Sequence, residues 1–236
     1  MFGWRGRFGY IGPTTIVLPS ELQGLLPDGV GVLATSLGIR SVEDNEIERG
    51  RQRIEEAAEL LVAEGARAIM ISGPLLALRL GFPGDEATRQ SLAEKVGVPV
   101  ISGIAAVVAG LKHLGARRPI AVVALPPEHH SMITNYLRDA GLEPAGIVGA
   151  GVRGPVAQIQ MDPTVFYGLA YELAAQHADA DSVYLGGRSV GLDVATALEA
   201  DLGLPVAYAE QAGLWWALRH LKVAPKPGSP TRLLNS

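Results

Sequence analysis

Lys95-Val-Gly-Val-Pro-Val-Ile-Ser102 has a counterpart later in the chain, Asp201-Leu-Gly-Leu-Pro-Val-Ala-Tyr208, and the two Gly-x-Pro-Val segments are offset by 106 residues. In both places a helical pattern precedes the glycine and an apolar strand follows the proline. A second helical pattern then closes with Leu-x-His-Leu, at Leu114 or Leu221. A repeat of this length indicates two similar α/β halves and not a solenoid of short units. Because helix, Gly-x-Pro and strand follow one another in many α/β proteins, coincidence is the alternative; we favour duplication.

Over the rest of the chain, apolar strand-like runs also alternate with helix-like segments. This alternation predicts mostly parallel sheets that are covered by helices on both faces. The predicted strands are 7–12, 31–34, 68–71, 98–101, 119–125, 146–149, 182–185 and 205–207, and the predicted helices are 45–64, 87–96, 104–114, 131–140, 164–177, 193–202 and 214–221.

The predicted fold class is therefore α/β. Two similar parallel-sheet halves, flavodoxin-like or Rossmann-like, are duplicated about a pseudo-twofold axis, and the site is expected in the cleft between them. The predicted domains are a first half at 1–114 and a second half at 115–223, and the last helix of the first half is able to pack with the other half. A loosely held, proline-rich C-terminal arm is expected at 224–236.

The composition excludes several classes of function. The chain has 236 residues and a net charge of −4, so it lacks the excess of positive charge that is typical of nucleic-acid-binding proteins. It has no cysteine, which excludes disulfides, thiolate metal ligands and thiol nucleophiles. The N-terminal residues do not resemble a secretory signal, and no apolar run reaches membrane-spanning length. We therefore expect a cytoplasmic protein that binds neither nucleic acid nor membrane.

Two glycine-containing loops follow predicted strands, where ligands bind in parallel α/β sheets. The first is Ser72-Gly73-Pro74-Leu75 and the second is Leu185-Gly186-Gly187-Arg188-Ser189. Glycine allows close approach, so Gly186 and Gly187 could offer backbone N–H groups to an oxyanion; a simple tight turn is the alternative. Pro74 has no N–H group and cannot be a hydrogen-bond donor. Leu75 and its apolar neighbours are expected either to line a pocket or, as we favour, to belong to an ordinary helix core.

Three further segments carry a resemblance to a known family. They are Gly9-Tyr-Ile-Gly-Pro13-Thr14-Thr15, Leu114-Gly-Ala-Arg-Arg-Pro-Ile-Ala-Val122 and Gly191-Leu-Asp-Val-Ala-Thr-Ala-Leu-Glu-Ala-Asp-Leu-Gly-Leu-Pro-Val206. Together and in this order, they resemble the aspartate/glutamate racemase superfamily, and most closely its arylmalonate decarboxylase and maleate isomerase branch. The resemblance extends over most of the chain, and it is specific for the superfamily but not for one activity.

The chain departs from this family at the positions that carry its chemistry. The first family cysteine position falls on Pro74-Leu75, and the second falls on Gly186 or Gly187. Racemisation by two thiols and isomerisation by thiol addition are therefore closed to this chain. Decarboxylation is less affected. The resemblance implies that an apolar pocket expels CO2, that hydrogen-bond donors stabilise the enediolate, and that another acid could replace the cysteine.

Two adjacent histidines are the candidate acid/base groups. The family's Thr-Pro-Tyr loop becomes Pro126-Pro127-Glu128-His129-His130, which places His129 at the tyrosine, with one residue of uncertainty. Imidazole titrates near neutral pH and suits general acid/base work, although an exposed pair of loop histidines is often inert. A metal is also compatible with the pair, but no supporting Asp/Glu spacing points to one.

The expected protein is a cofactor-independent, decarboxylase-like lyase or isomerase-type enzyme, which acts on a small carboxylic acid through an enediolate-like intermediate without thiol catalysis. No cofactor or metal is expected, and a homo-oligomer is possible. One alternative is a thiol-independent hydrolase or isomerase that uses the two histidines and Glu128; another is a catalytically silent metabolite-binding homologue. The candidate catalytic residues are His129, His130, Gly186 and Gly187, and the candidate substrate-binding residues are Pro13, Thr14, Thr15, Gly73, Pro74, Leu75, Arg188 and Ser189.

Overall fold

A computed structural model describes residues 2–14, 20–41, 43–188 and 190–236 of the chain. Eight strands alternate with helices in this part of the chain. The strands are β1 (Gly6–Gly12), β2 (Val30–Ser36), β3 (Ala68–Ile71), β4 (Val100–Ser102), β5 (Pro119–Val123), β6 (Gly146–Gly149), β7 (Ser182–Gly186) and β8 (Val206–Tyr208). The helices are α1 (Ser20–Leu25), α2 (Asp44–Gln52), α3 (Ile54–Ala63), α4 (Pro74–Leu78), α5 (Gly81–Val96), α6 (Gly103–His113), α7 (His130–Asp139), α8 (Pro155–Gln160), α9 (Thr164–Gln176), α10 (Leu192–Leu202) and α11 (Ala209–Leu221).

The first compact unit comprises Met1–Ala106 and Gly213–Pro227. Its four parallel strands have the order β2-β1-β3-β4. The central strands are apolar because helices cover them, and Met70 of β3 is fully buried. Gly213 of α11 lies against the Met70 side chain, where a Cβ atom would overlap its sulfur. This close approach explains why most of α11 belongs to the first unit.

The second compact unit comprises Val107–Ala212 and Gly228–Ser236. Its four parallel strands have the order β6-β5-β7-β8, which repeats the order in the first unit. One core lies between this sheet and the helices α9 and α10, and it includes Val122, Phe166, Leu185 and Leu198. The predicted fold class of two similar parallel-sheet α/β halves is therefore confirmed. The compact units divide within α6 and within α11, whereas the predicted domains divide after α6 and keep α11 in the second half.

The predicted single helix at 45–64 is wrong, because the structure forms two helices that meet at Arg53. Gly50 lies so close to the Ile39 side chain that a Cβ atom there would overlap it. The Arg53 guanidinium donates a hydrogen bond of 3.1 Å to the Leu37 carbonyl. These long-range contacts interrupt the helix, and a helical periodicity within the segment could not reveal them.

The C-terminal arm is not loosely held, which corrects the prediction for 224–236. Leu233 and Leu234 are buried at 0% and 1% exposure, and Leu233 packs against the backbone of α6 at Gly110. The buried amide of Gln211 donates a 2.6 Å hydrogen bond to the Thr231 hydroxyl. The proline-rich composition suggested a mobile arm, but two leucines and one threonine anchor its end in the second unit.

Glu199 holds the same arm and makes the stability of the second unit depend on pH. Its carboxylate accepts hydrogen bonds from the backbone N–H groups of Val206, at 3.0 Å, and Arg232, at 2.8 Å. Burial nevertheless raises the pKa of Glu199 above its ordinary value of 4.5. At pH values between the ordinary pKa of 4.5 and the raised pKa of the folded protein, the native state binds more protons than the unfolded state. The free energy of unfolding therefore falls as pH rises through this range.

Replacing Glu199 with glutamine is expected to flatten this fall, because the amide keeps an acceptor oxygen but cannot ionise. Urea denaturation at several pH values from 4.5 to 7 measures the change. Glu143→Gln is the matched control, since Glu143 is exposed and only reaches Arg138 at 3.5 Å. An equal pH slope in the wild-type and Glu199→Gln proteins would contradict the assignment of the slope to Glu199.

Candidate functional site

The first candidate loop connects β3 to α4 in the first unit. Gly73 has a φ of +103°, and a Cβ atom there would lie 3.1 Å from Pro13. Glycine is required at this turn, because other residues rarely adopt positive φ. Pro74 begins α4, and Leu75 is buried in it, as are its leucine neighbours. Leu75, Leu76 and Leu78 are thus buried side chains of α4, and Leu76 also lines a cavity.

The segment that follows β1 lies beside Gly73 through Pro13. The Pro13 carbonyl accepts a 2.7 Å hydrogen bond from the Ile39 N–H, and the Thr14 carbonyl accepts one from the Ser36 hydroxyl. The structure thus brings Pro13, Thr14 and Gly73 of the predicted site into one neighbourhood of the first unit. Thr15, the other threonine of the predicted site, lies outside the described residues.

A cavity of about 450 Å³ reaches this loop from within the first unit. Gly73, Leu76 and Ser102 are among its lining residues, so it lies near the carboxyl ends of β3 and β4. Its polar lining includes Asp85, which is 4% exposed. The Asp85 carboxylate accepts hydrogen bonds of 2.8 Å from both the Ser102 hydroxyl and the Arg89 Nε–H.

Sequence reasoning missed this buried carboxylate. The i,i+4 spacing of Asp85 and Arg89 is compatible with an ordinary surface ion pair, and only burial distinguishes the two cases. Ser102 ends the first copy of the internal repeat, which is a local signal for the end of a strand but not for a partner 17 residues away.

The second candidate loop follows β7 in the second unit. The Gly186 carbonyl accepts a 2.7 Å hydrogen bond from the Ala124 N–H, which fixes the loop against the end of β5. No described residue accepts a hydrogen bond from the Gly187 N–H. Arg188 is half-buried beside it, and Ser189 lies outside the described residues.

Both glycines of this loop are crowded on the side where a side chain would stand. A Cβ atom at Gly187 would overlap the ring of Phe166. At Gly186 it would lie 2.8 Å from the Tyr184 hydroxyl and 3.0 Å from Val123. Cβ atoms essentially never approach another heavy atom within 3.0 Å, so a larger residue at either position requires its neighbours to move. Side chains of other residues therefore fill the space beside both glycines.

The two candidate histidines follow β5, the strand that pairs with β7. Their loop and the Gly186-Gly187 loop thus leave the same edge of one sheet. His129 is half-buried at the end of a short 3-10 turn, whereas His130 begins α7 and its Nε2 atom lies 3.4 Å from the Leu125 carbonyl oxygen. Hydrogen bonding to its own backbone N–H and then an ion pair with Arg153 lower the pKa of Glu128.

Metal-binding side chains do not cluster in groups of three or more within the described part of the chain. The helices that the structure describes are also too short or too polar to cross a membrane.

Each of the two units has a parallel sheet with a glycine-containing loop at the end of a strand. This is the class of α/β protein that the sequence resemblance predicted. The family model for arylmalonate decarboxylase matches residues 9–234 of the chain. The chain therefore belongs to the arylmalonate decarboxylase family, and the predicted resemblance is confirmed.

Individual relatives agree with this assignment. The chain is 26% identical over 208 residues to arylmalonate decarboxylase of Bordetella bronchiseptica, an alignment that covers 88% of this chain and 86% of that protein. It is also similar to the liganded crystal structure of an arylmalonate decarboxylase double mutant, in which a glycine is replaced by cysteine and a cysteine by serine. The TM-score is 0.89 at 25% identity, with 97% of this chain and 98% of that chain covered.

A more distant similarity shows the fold alone. The maleate isomerase of Pseudomonas putida S16, solved as a mutant with maleate, has a TM-score of 0.86 at 20% identity, and 97% of both chains is covered. The family match and the arylmalonate decarboxylase relatives support a decarboxylase-type function.

Proposed function

We propose that this protein is a thiol-free and cofactor-independent decarboxylase, which removes CO2 from a small malonate-type acid through an enediolate-like intermediate. Membership of the arylmalonate decarboxylase family supports the reaction class. The absence of cysteine from the sequence requires the thiol-free route. The observation that carries the proposal is the Gly187 N–H, a hydrogen-bond donor at the carboxyl end of β7 that no described residue uses.

Decarboxylation requires the protein to supply hydrogen-bond donors for a developing negative charge and an acid that protonates carbon. The carbon–carbon bond to one carboxylate breaks, CO2 leaves, and the electron pair spreads onto the remaining carboxylate as an enediolate. Preorganised N–H donors stabilise this developing charge, and the Gly187 N–H suits this role because glycine permits close approach. An acid must then protonate the α-carbon.

Decarboxylation fits the residues better than isomerisation does. A mutant of the maleate cis-trans isomerase of Nocardia farcinica has been solved with a covalently bound succinylcysteine intermediate. A chain without cysteine cannot form such an adduct.

The test is to incubate the purified protein with phenylmalonate, alkylmalonates and maleate, and to measure CO2 and the organic product together. We expect one CO2 and one monocarboxylic acid per malonate consumed, with turnover unchanged by iodoacetamide or by a metal chelator. Binding of malonates without consumption would overturn the proposal in favour of a silent metabolite-binding protein. Consumption of maleate without release of CO2 would overturn it in favour of isomerisation.

A further inference from the structure

We propose that the phenol of Tyr184 takes the place of the missing thiol and donates the proton that completes decarboxylation. This inference rests on the proposed function and names the acid that the reaction requires. It assigns to Tyr184 the role that the sequence alone predicted for His129.

The first support is position. Side chains two residues apart on a strand lie on the same face, so Tyr184 and Gly186 share one face of β7. The Tyr184 hydroxyl lies 2.8 Å from the point where a Cβ atom at Gly186 would stand. The phenol oxygen therefore occupies the space in which a cysteine side chain at this position would begin.

The second support is how the neighbouring strands make room for the ring. Tyr184 pairs in register with Ala121 of β5 on one side and Ala207 of β8 on the other. Both neighbours in register are alanines, whose methyl groups take up little space beside the ring, and a strand side chain can lean along its own strand. The ring thus reaches the carboxyl end of β7, where parallel sheets bind their ligands.

The third support is that the hydroxyl has no visible structural role among the described residues. Tyr184 is only 3% exposed, yet its hydroxyl makes no hydrogen bond to any other described residue. The phenol oxygen is not one of the closed-off side-chain atoms that lack a partner, so solvent or a ligand can reach it. An unpartnered phenol beside a glycine loop is explained if its partner is a ligand.

The protonation state agrees with the role of an acid. Burial raises the pKa of the Tyr184 phenol, and the nearby Glu210 carboxylate raises it further. The phenol therefore keeps its proton throughout the neutral range. A carbanion next to a carboxylate is far more basic than a phenolate, so the transfer is downhill even from a weak acid.

Cleavage of the carbon–carbon bond releases CO2 and leaves its electron pair on the α-carbon and the remaining carboxylate. This pair forms a new C–H bond with the Tyr184 proton, while the O–H bond breaks and its electrons stay on the phenolate. A proton from water then restores the phenol, so the cycle consumes one proton from solvent and needs no oxidant or reductant.

The first test is Tyr184→Phe, with an aryl-methylmalonate whose product has a stereocentre. We expect kcat to fall by about 100-fold or more. The residual product should be close to racemic, because water can protonate either face. Tyr136→Phe is the control: Tyr136 is also buried in the second unit, on α7, and its variant should retain rate and enantiomeric excess. A structural role for Tyr184 would not change the enantiomeric excess.

The outcomes separate the two proposals. A wild-type protein that decarboxylates no malonate would overturn the proposed function and this inference with it. Wild-type turnover together with a fully active and stereoselective Tyr184→Phe variant would overturn the inference alone. So would a racemic product from His129→Ala but not from Tyr184→Phe, since His129 would then be the proton donor.

A second test uses stability and therefore does not depend on finding the substrate. Gly186→Cys should lower the melting temperature, because its Cβ atom meets the Tyr184 hydroxyl at 2.8 Å. Adding Tyr184→Phe removes that oxygen and should recover part of the loss. Any decarboxylation by the double variant should become sensitive to iodoacetamide. A single Gly186→Cys variant that is as stable as wild type would show that the phenol does not occupy the thiol space.

Discussion

Replacing Leu233 with alanine is expected to lower the free energy of unfolding by about 2–5 kcal/mol, the range for large-to-small changes in a packed core. The side chain is fully buried and lies directly on the backbone of α6 at Gly110, so its loss leaves a cavity that rigid backbone cannot close. Deleting 231–236 should cost more, because the buried Leu234 and the Gln211–Thr231 hydrogen bond are lost as well. Urea denaturation followed by circular dichroism measures both changes.

Leu60→Ala supplies the matched control for this experiment. Leu60 is 54% exposed on α3, so the same chemical change there should alter the free energy of unfolding by no more than about 0.5 kcal/mol. Equal and small effects at Leu60 and Leu233 would mean that the C-terminal arm is not docked in solution, which would contradict the structure.

Replacing Asp85 with alanine is expected to cost about 3 kcal/mol of unfolding free energy. The change leaves the Ser102 hydroxyl without its acceptor and removes the counter-ion of Arg89, whose side chain is only 14% exposed. Removing one partner of a buried ion pair costs more than the pair itself contributes, because the remaining charge stays desolvated. Chemical denaturation of the two proteins at pH 7 gives the difference.

Asp44→Ala is the control for this second change. Asp44 also pairs with an arginine, Arg79, but its side chain is 92% exposed. Exposed ion pairs contribute between 0 and about 1 kcal/mol, so this variant should remain close to wild type. If Asp85→Ala proved no more destabilising than Asp44→Ala, Asp85 would not be the buried anchor that the structure shows.

The strands of this fold are predictable because their signals are local. Ala68–Ile71 and Gly146–Gly149 have the predicted limits, since each is a short run bounded by turn residues. The matching strand orders of the two units agree with the internal repeat. Features that depend on distant contacts were missed: the break of the predicted helix at Arg53 is one, and the docking of Leu233 is another.

The features of the candidate site are likewise of two kinds: those with a local sequence signal and those that depend on distant contacts. The glycine loops were predictable, because a strand followed by glycine is a local pattern and parallel sheets bind ligands at that end. The crowding of Gly187 by Phe166 was not, because the two residues are far apart in sequence and meet only through packing. Tyr184 was within reach of sequence reasoning: period-two alternation places it on the face of Gly186, but an apolar strand gives no reason to single out its hydroxyl.

The way in which each unit draws on separated parts of the chain has a consequence for protein synthesis. The first unit needs 213–227, so a nascent chain must grow through the whole of 107–212 before α11 can cover Met70. Until then an apolar sheet surface stays uncovered while the second unit is being made. Such uncovered sheets are prone to aggregate. Slow translation through the second half should therefore lengthen the period during which the growing chain depends on chaperones.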